Sequence, residues 1–245
     1  MSVDGIQMRR IFSVAAAVVM ALAFMSLCSV SSAKDGAPAG RDEALSRSTL
    51  IVIENGSFEV PVVDPNGFPA LPYMEGWIER DVDAKTSTNT GVFANTPPGS
   101  PDRMENADGN QLAFLGSQQG NGLWQDVAGT YKVDCAYRLT VGVGISQRFP
   151  PSGLTPVGTI ELVLYWVDGE DRVDIVREVV EARGLSSTRL QDFSVYLRAV
   201  QAGDAWAGKG IGVAIRATGV AGGFWDLDHV RLTEVQPALD FRGSP

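Results

Sequence analysis

Three carboxylates are the residues of this chain best placed to do chemistry. Glu59 closes the run Asn55-Gly56-Ser57-Phe58-Glu59, and Asp226 and Asp228 lie in Trp225-Asp226-Leu227-Asp228-His229-Val230-Arg231-Leu232. Strand alternation puts Asp228 on one face with Val230 and Leu232, and Trp225 and Leu227 on the other with His229 and Arg231. Val230 and Leu232 are the better core residues, so Asp228 is expected to point inward. An ionised carboxylate there needs hydrogen bonds, a cation or a raised pKa. Two readings follow from the residues. In one, Asp228 caps backbone N–H groups at a strand end and Glu59 is solvated. In the other, Glu59 and Asp228 supply hard oxygen ligands to Ca²⁺, completed by carbonyls and water, a donor set unsuited to tetrahedral zinc.

Other chemistries lack their partners. His229 is the only histidine, no G-x-S-x-G turn is present, and Cys135 has no thiol–histidine pairing to activate it. Cys135 is therefore expected to be a small buried hydrophobe. Trp124 alternates with Leu123, Gln125 and Val127. If those three point inward, Trp124 is a surface ring able to stack on a sugar. Trp225 is a second candidate ligand contact, and Trp77 is expected in the core. Asn55-Gly56-Ser57 satisfies a glycosylation sequon, but Asn-Gly is first a tight-turn pair.

The elements that must position these residues are strands. Strand signals begin at Leu50–Ile53 and recur at Gly91–Phe93, Gln111–Leu115, Leu123–Val127, Tyr137–Val143, Thr159–Val167, Val173–Val180, Phe193–Leu197, Ile211–Arg216 and Phe224–Leu232. Asp108-Gly109-Asn110, Asp168-Gly169 and Gly222-Gly223 punctuate them. Residues 174–183 also fit a helical period, and the Asp168-Gly169 turn with its β-branched neighbours favours a hairpin arm. The pattern predicts an all-β, two-sheet antiparallel sandwich. Pro- and Gly-rich loops at Pro61–Pro72, Asn95–Arg103 and Phe149–Pro156 are stiff, and function tends to collect on such loops.

Residues 1–33 read as a signal peptide: Arg9 and Arg10 precede the uncharged run Ile11–Val30, and Ser31 and Ala33 suit cleavage. Residues 34–48 read as a flexible linker, 49–236 as the folded domain and 237–245 as a disordered tail. The chain is therefore expected to be secreted or in the periplasm or cell envelope, with no stable membrane insertion after cleavage. Cleavage leaves Cys135 as the only cysteine, so no internal disulfide staples the domain. A net charge of −9 argues against nucleic acid or anionic lipid as a partner.

The ordered set NGSFE, Gly76-Trp77, Asp108-Gly109-Asn110-Gln111, Leu123-x-Gln125-x-Val127, Tyr137-x-Leu139-x-Val141 and Asp228-x-Val230 resembles secreted galactose-binding-like jelly-rolls, a fold shared by carbohydrate-binding modules. That resemblance implies a structural calcium held by Glu59 and Asp228, and a carbohydrate or similar small ligand. A narrower resemblance is to the Stig cyclases, exported calcium-binding jelly-rolls that rearrange and cyclise indole isonitriles. It implies a late aspartate as acid, either Asp226 or Asp228. The leading expectation is a calcium-stabilised binding module without catalysis. A cyclase-type enzyme is the alternative, and a structural envelope or matrix protein is the third.

Overall fold

The computed structural model describes residues 47–64, 70–81, 89–146 and 158–236. The expected signal segment, the tail, the loop Phe149–Pro156 and nearly all of the linker lie outside them.

Twelve strands follow one another without an intervening helix among the described residues. They are β1 (Arg47–Ile51), β2 (Ala70–Leu71), β3 (Ile78–Arg80), β4 (Thr90–Ala94), β5 (Gln111–Gly116), β6 (Gly122–Thr130), β7 (Ala136–Ile145), β8 (Thr159–Asp168), β9 (Asp171–Glu181), β10 (Gln191–Leu197), β11 (Gly210–Ala217) and β12 (Phe224–Gln236). They form two antiparallel sheets, ordered β10-β7-β12-β5-β4-β2 and β3-β6-β11-β8-β9. β12 is central in the larger sheet: β7 runs along one side, while β5 and then β1 occupy the other. The first strand begins at Arg47, inside the segment expected to be linker. Residues 171–181 are a strand, joined to β8 by a tight hairpin at Asp168–Asp171. Their β-branched side chains suit a pleated surface better than a helix.

Between the sheets, Leu139, Val141 and Val143 of β7 and Trp225, Leu227, Val230 and Leu232 of β12 meet Leu123, Leu162, Leu164, Val213 and Ile215. Cys135 joins this core as a buried free thiol, and Trp77 does so beside Phe58, with ring centroids 5.3 Å apart. Leu123, Gln125 and Val127 all point inward.

β12 does not keep strict alternation. Its pairing with β7 shifts between Asp228 and Arg231, and His229 takes φ 58°. A β-bulge of this kind adds one residue and resets which side chains face the core. Trp225 and Leu227 face inward before it, and Val230 and Leu232 after it. The expected placement of Asp228 on the core face with Val230 and Leu232 is therefore corrected. Asp226 and Asp228 share the outer face of the larger sheet.

Candidate functional site

The two sequence signatures do meet. Gly56 O accepts the Val230 N–H at 2.9 Å, just past the bulge. A Cβ on Gly56 would stand 2.6 Å from Val230 O, so only glycine permits this approach. Asn55 builds the turn: its Oδ1 accepts the Val60 N–H, and its Nδ2 donates to the carbonyls of Val60 and Glu75. The turn reading of Asn-Gly thus has a structural role. Two buried amides brace the same segment. Gln125 spans Glu54 N–H, Glu54 O and Gly76 O, while Gln111 spans Val63 N–H, Phe58 O and Pro61 O.

Glu59 and Asp228 both accept backbone N–H groups from residues 108–111. Glu59 Oε1 accepts the N–H groups of Asn110 and Gln111 at 2.9 and 2.8 Å. Asp228 Oδ2 accepts the Asp108 N–H at 2.6 Å, and its Oδ1 accepts the His229 N–H at 2.7 Å. Asp228 is fully buried. Burial outweighs those two donors, and the charges of Asp108 and Glu59 add to it, pushing the carboxyl up to about 8. A cation would relieve this crowding of carboxylates, and the oxygen donors suit Ca²⁺. Among the described residues, no group of three or more His, Cys, Asp or Glu side chains is placed to hold a metal. A calcium here would draw on backbone carbonyls and water beyond the two carboxylates. His229 is buried beside this pair, its Nε2 and Nδ1 each 3.8 Å from a carboxylate oxygen, of Asp228 and Asp192 respectively.

Asp226 has different surroundings. It is 3% exposed, and its cross-strand neighbours are Phe114 on β5 and Gly144 on β7. Phe114 is the centre of an aromatic group, 6.5 Å from Phe93 and 5.9 Å, edge-on, from Phe224. Met104, Leu112 and Leu190 complete this second apolar cluster outside the main core. This nearly buried carboxyl therefore borders the aromatic cluster rather than the Glu59–Asp228 pair.

The remaining expected site residues lie elsewhere. Trp225 is wholly buried in the core, so its expected role as a ligand contact is corrected: the inward face of β12 includes it. Trp124 lies on the outer face of the smaller sheet, partly buried against Val163, Tyr165 and Ala214. It is not brought together with the carboxylates. The aromatic surroundings of Asp226 were missed, although Leu112-Ala113-Phe114-Leu115 carries their signal. An unbroken apolar run marks a strand covered on both faces.

The chain matches the HpiC1-like family, described as HpiC1 cyclase, over residues 49–233. It belongs to that family. The cyclase resemblance is thus the one the family match supports, ahead of the carbohydrate-binding modules expected first. No curated protein matches the chain. Among solved structures, a cyclase from Fischerella sp. TAU is similar at 23% identity and TM-score 0.64, covering 78% of this chain and 99% of that one. An apo cyclase from Fischerella sp. is similar at 21% identity and TM-score 0.63, covering 78% and 98%. The Stig cyclase Fisc from Fischerella sp. TAU, in complex with (3Z)-3-(1-methyl-2-pyrrolidinylidene)-3H-indole, is similar at 22% identity and TM-score 0.63, covering 78% and 100%. These structures share its β-sandwich fold.

Proposed function

We propose that this protein is an exported cyclase that uses Asp226 as a general acid to rearrange or cyclise an indole isonitrile. The carrying observation is the position of Asp226, 3% exposed and directly across from Phe114 in a cluster of three phenylalanines. In its acid form the carboxyl has a proton to donate, and the apolar wall beside it limits competition from water. Protonating an electron-rich aromatic substrate leaves positive charge on it. The negative faces of Phe114 and its neighbours stabilise such charge. Exclusion of water keeps the cation from being captured before the ring closes. The Asp226 carboxylate can then take back the proton released at closure.

Of the two candidate acids, Asp226 is supported over Asp228. Asp226 lies across from Phe114 in the aromatic cluster, whereas Asp228 is engaged with the 108–111 loop next to Glu59. We assign Glu59 and Asp228 to a structural Ca²⁺ instead, which would tie the first loop to the last strand. The indole ligand of Fisc supports an aromatic substrate for this family member, as does a Fischerella sp. TAU cyclase in complex with 4-(1H-indol-3-yl)butan-2-one.

Binding of that ketone tests the reading before any substrate is in hand. Saturable binding, weakened at least tenfold by Phe114→Ala in a folded variant, supports it. Binding unaffected by that change moves the site away from Asp226.

A second reading, carbohydrate binding, rests on Trp124, whose ring lies over Gly122; a Cβ there would stand 2.6 Å from the ring. A ring laid flat on a sheet suits sugar stacking. Saturable glycan binding lost on Trp124→Ala is the result that reading requires.

A further inference from the structure

The wall beside Asp226 is made differently on its two sides. On one side stands Phe114, seated against Gly91, where a Cβ would come within 2.8 Å of the ring. The ring has no room to shift that way. On the other side, the β7 residues paired with Asp226 and Asp228 are Gly144 and Gly142. A Cβ on Gly144 would stand 3.1 Å from Met104 Cε and 3.2 Å from Leu190 Cδ2. Those two side chains therefore fill the space that a β7 residue would otherwise occupy, next to the acid.

Met104 and Leu190 arrive on two loops whose backbones are tied together. The Glu105 N–H donates to Thr188 O at 2.7 Å, and the Leu190 N–H donates to Glu105 O at 3.0 Å. Asn106 Nδ2 reaches Leu190 O at 3.3 Å. Asn95 grips Met104 from both sides, its Oδ1 accepting the Met104 N–H and its Nδ2 donating to Met104 O. The main chain is thus anchored, while the side chains end in methyl groups. Methionine in particular adapts its three torsions to an irregular neighbour.

We propose that Met104 and Leu190 are specificity-determining residues: by filling the space over Gly144, they set the width of the ring system accepted beside Asp226. This rests on the reading of Asp226 as the centre of the site. Phe114 is then the fixed wall and the Met104–Leu190 pair the adjustable one. Shortening either side chain should admit a wider ligand, because one added carbon in an apolar site changes discrimination by about tenfold or more.

Equilibrium binding of indole, 2-methylindole and carbazole to the wild-type protein, Met104→Ala, Leu190→Val and the surface control Tyr196→Ala tests this. Melting curves confirm that each variant is folded. The expected result is a carbazole-to-indole affinity ratio raised about tenfold in Met104→Ala and in the same direction, by less, in Leu190→Val. Tyr196→Ala, 65% exposed on β10, should leave the ratio unchanged. If Met104→Ala fails to fold, the milder Leu190→Val carries the comparison. Binding with unchanged ratios in the folded variants overturns the proposal and leaves the acid reading standing. No binding of any of the three compounds overturns both.

Discussion

Gln125 is the test of how the first loop is held against the sandwich. Its side chain is 5% exposed and makes three hydrogen bonds across the sheets, accepting Glu54 N–H and donating to Glu54 O and Gly76 O, all at 2.8 Å. Gln125→Met keeps the length and the apolar stem but removes every one of them. A net hydrogen bond is worth roughly 1 kcal/mol, and a polar group left buried costs more. Glu54 lies at the surface, so water can replace part of the loss. The expected destabilisation is about 2–3 kcal/mol, and at about 2–4 °C per kcal/mol for a domain of this size the melting temperature should fall by about 4–12 °C. Calorimetry or circular dichroism on the purified protein reads it directly. Asn55→Ala loosens the same segment by cutting its contacts to Val60 and Glu75. The double mutant should therefore lose less than the sum of the singles, by about 0.5 kcal/mol or more. A loss below about 0.5 kcal/mol for Gln125→Met, the scale of an ordinary surface change, would refute the clamp.

Gly56→Ala should destabilise by more than about 1 kcal/mol in a denaturant melt, because its Cβ would stand 2.6 Å from Val230 O and the loop would have to leave the bulge. If Glu59 and Asp228 share one calcium, a hundredfold excess of the ion over its dissociation constant stabilises by about 2.7 kcal/mol. Chelation should then lower the melting temperature by about 5–10 °C, and Asp228→Asn should abolish that sensitivity. At Glu234, burial works against ionisation, but the Lys132 ammonium 2.9 Å away and Gln236 outweigh it, holding the carboxyl below the usual 4.5. That contribution is fully present above 4.5 and lost as pH falls through the lowered value. Glu234→Gln should accordingly cost more stability at pH 7 than at pH 3 in urea melts.

Much of the architecture was legible because its strands are long and sharply punctuated. β5 to β12 each carry a β-branched or aromatic run, most with Gly, Asp, Asn or Pro close to an end, and the structure finds strands at all of those runs. β2 and β3 span two and three residues, too short for any period to register. The structure pairs the first and last strands, with Ile51 opposite Leu232 and Gly56 meeting Val230.

What failed was parity. One residue in a left-handed conformation, His229, adds a bulge that no alternation rule anticipates, and it moves Asp228 to the outer face and Trp225 into the core. The aromatic setting of Asp226 was hidden for another reason. Phe93, Phe114, Phe224, Met104 and Leu190 come from two central strands, the start of a third and two loops, so only the sheet order shows that they share one surface. The buried glutamines were visible as motif positions at 111 and 125, but their bonds reach 48 to 71 residues away along the chain.

The most direct test of the central claim is turnover of an indole isonitrile substrate by the wild-type protein and by Asp226→Asn, with calcium present and folding confirmed by melting. Asn preserves the shape of the side chain and removes the proton that an acid must give, so product formation should fall by about 10²–10⁴-fold while substrate binding is retained. Asp226→Asn turning over at the wild-type rate, or a wild-type protein that binds the substrate and leaves it unchanged, would contradict the assignment of Asp226 as the acid.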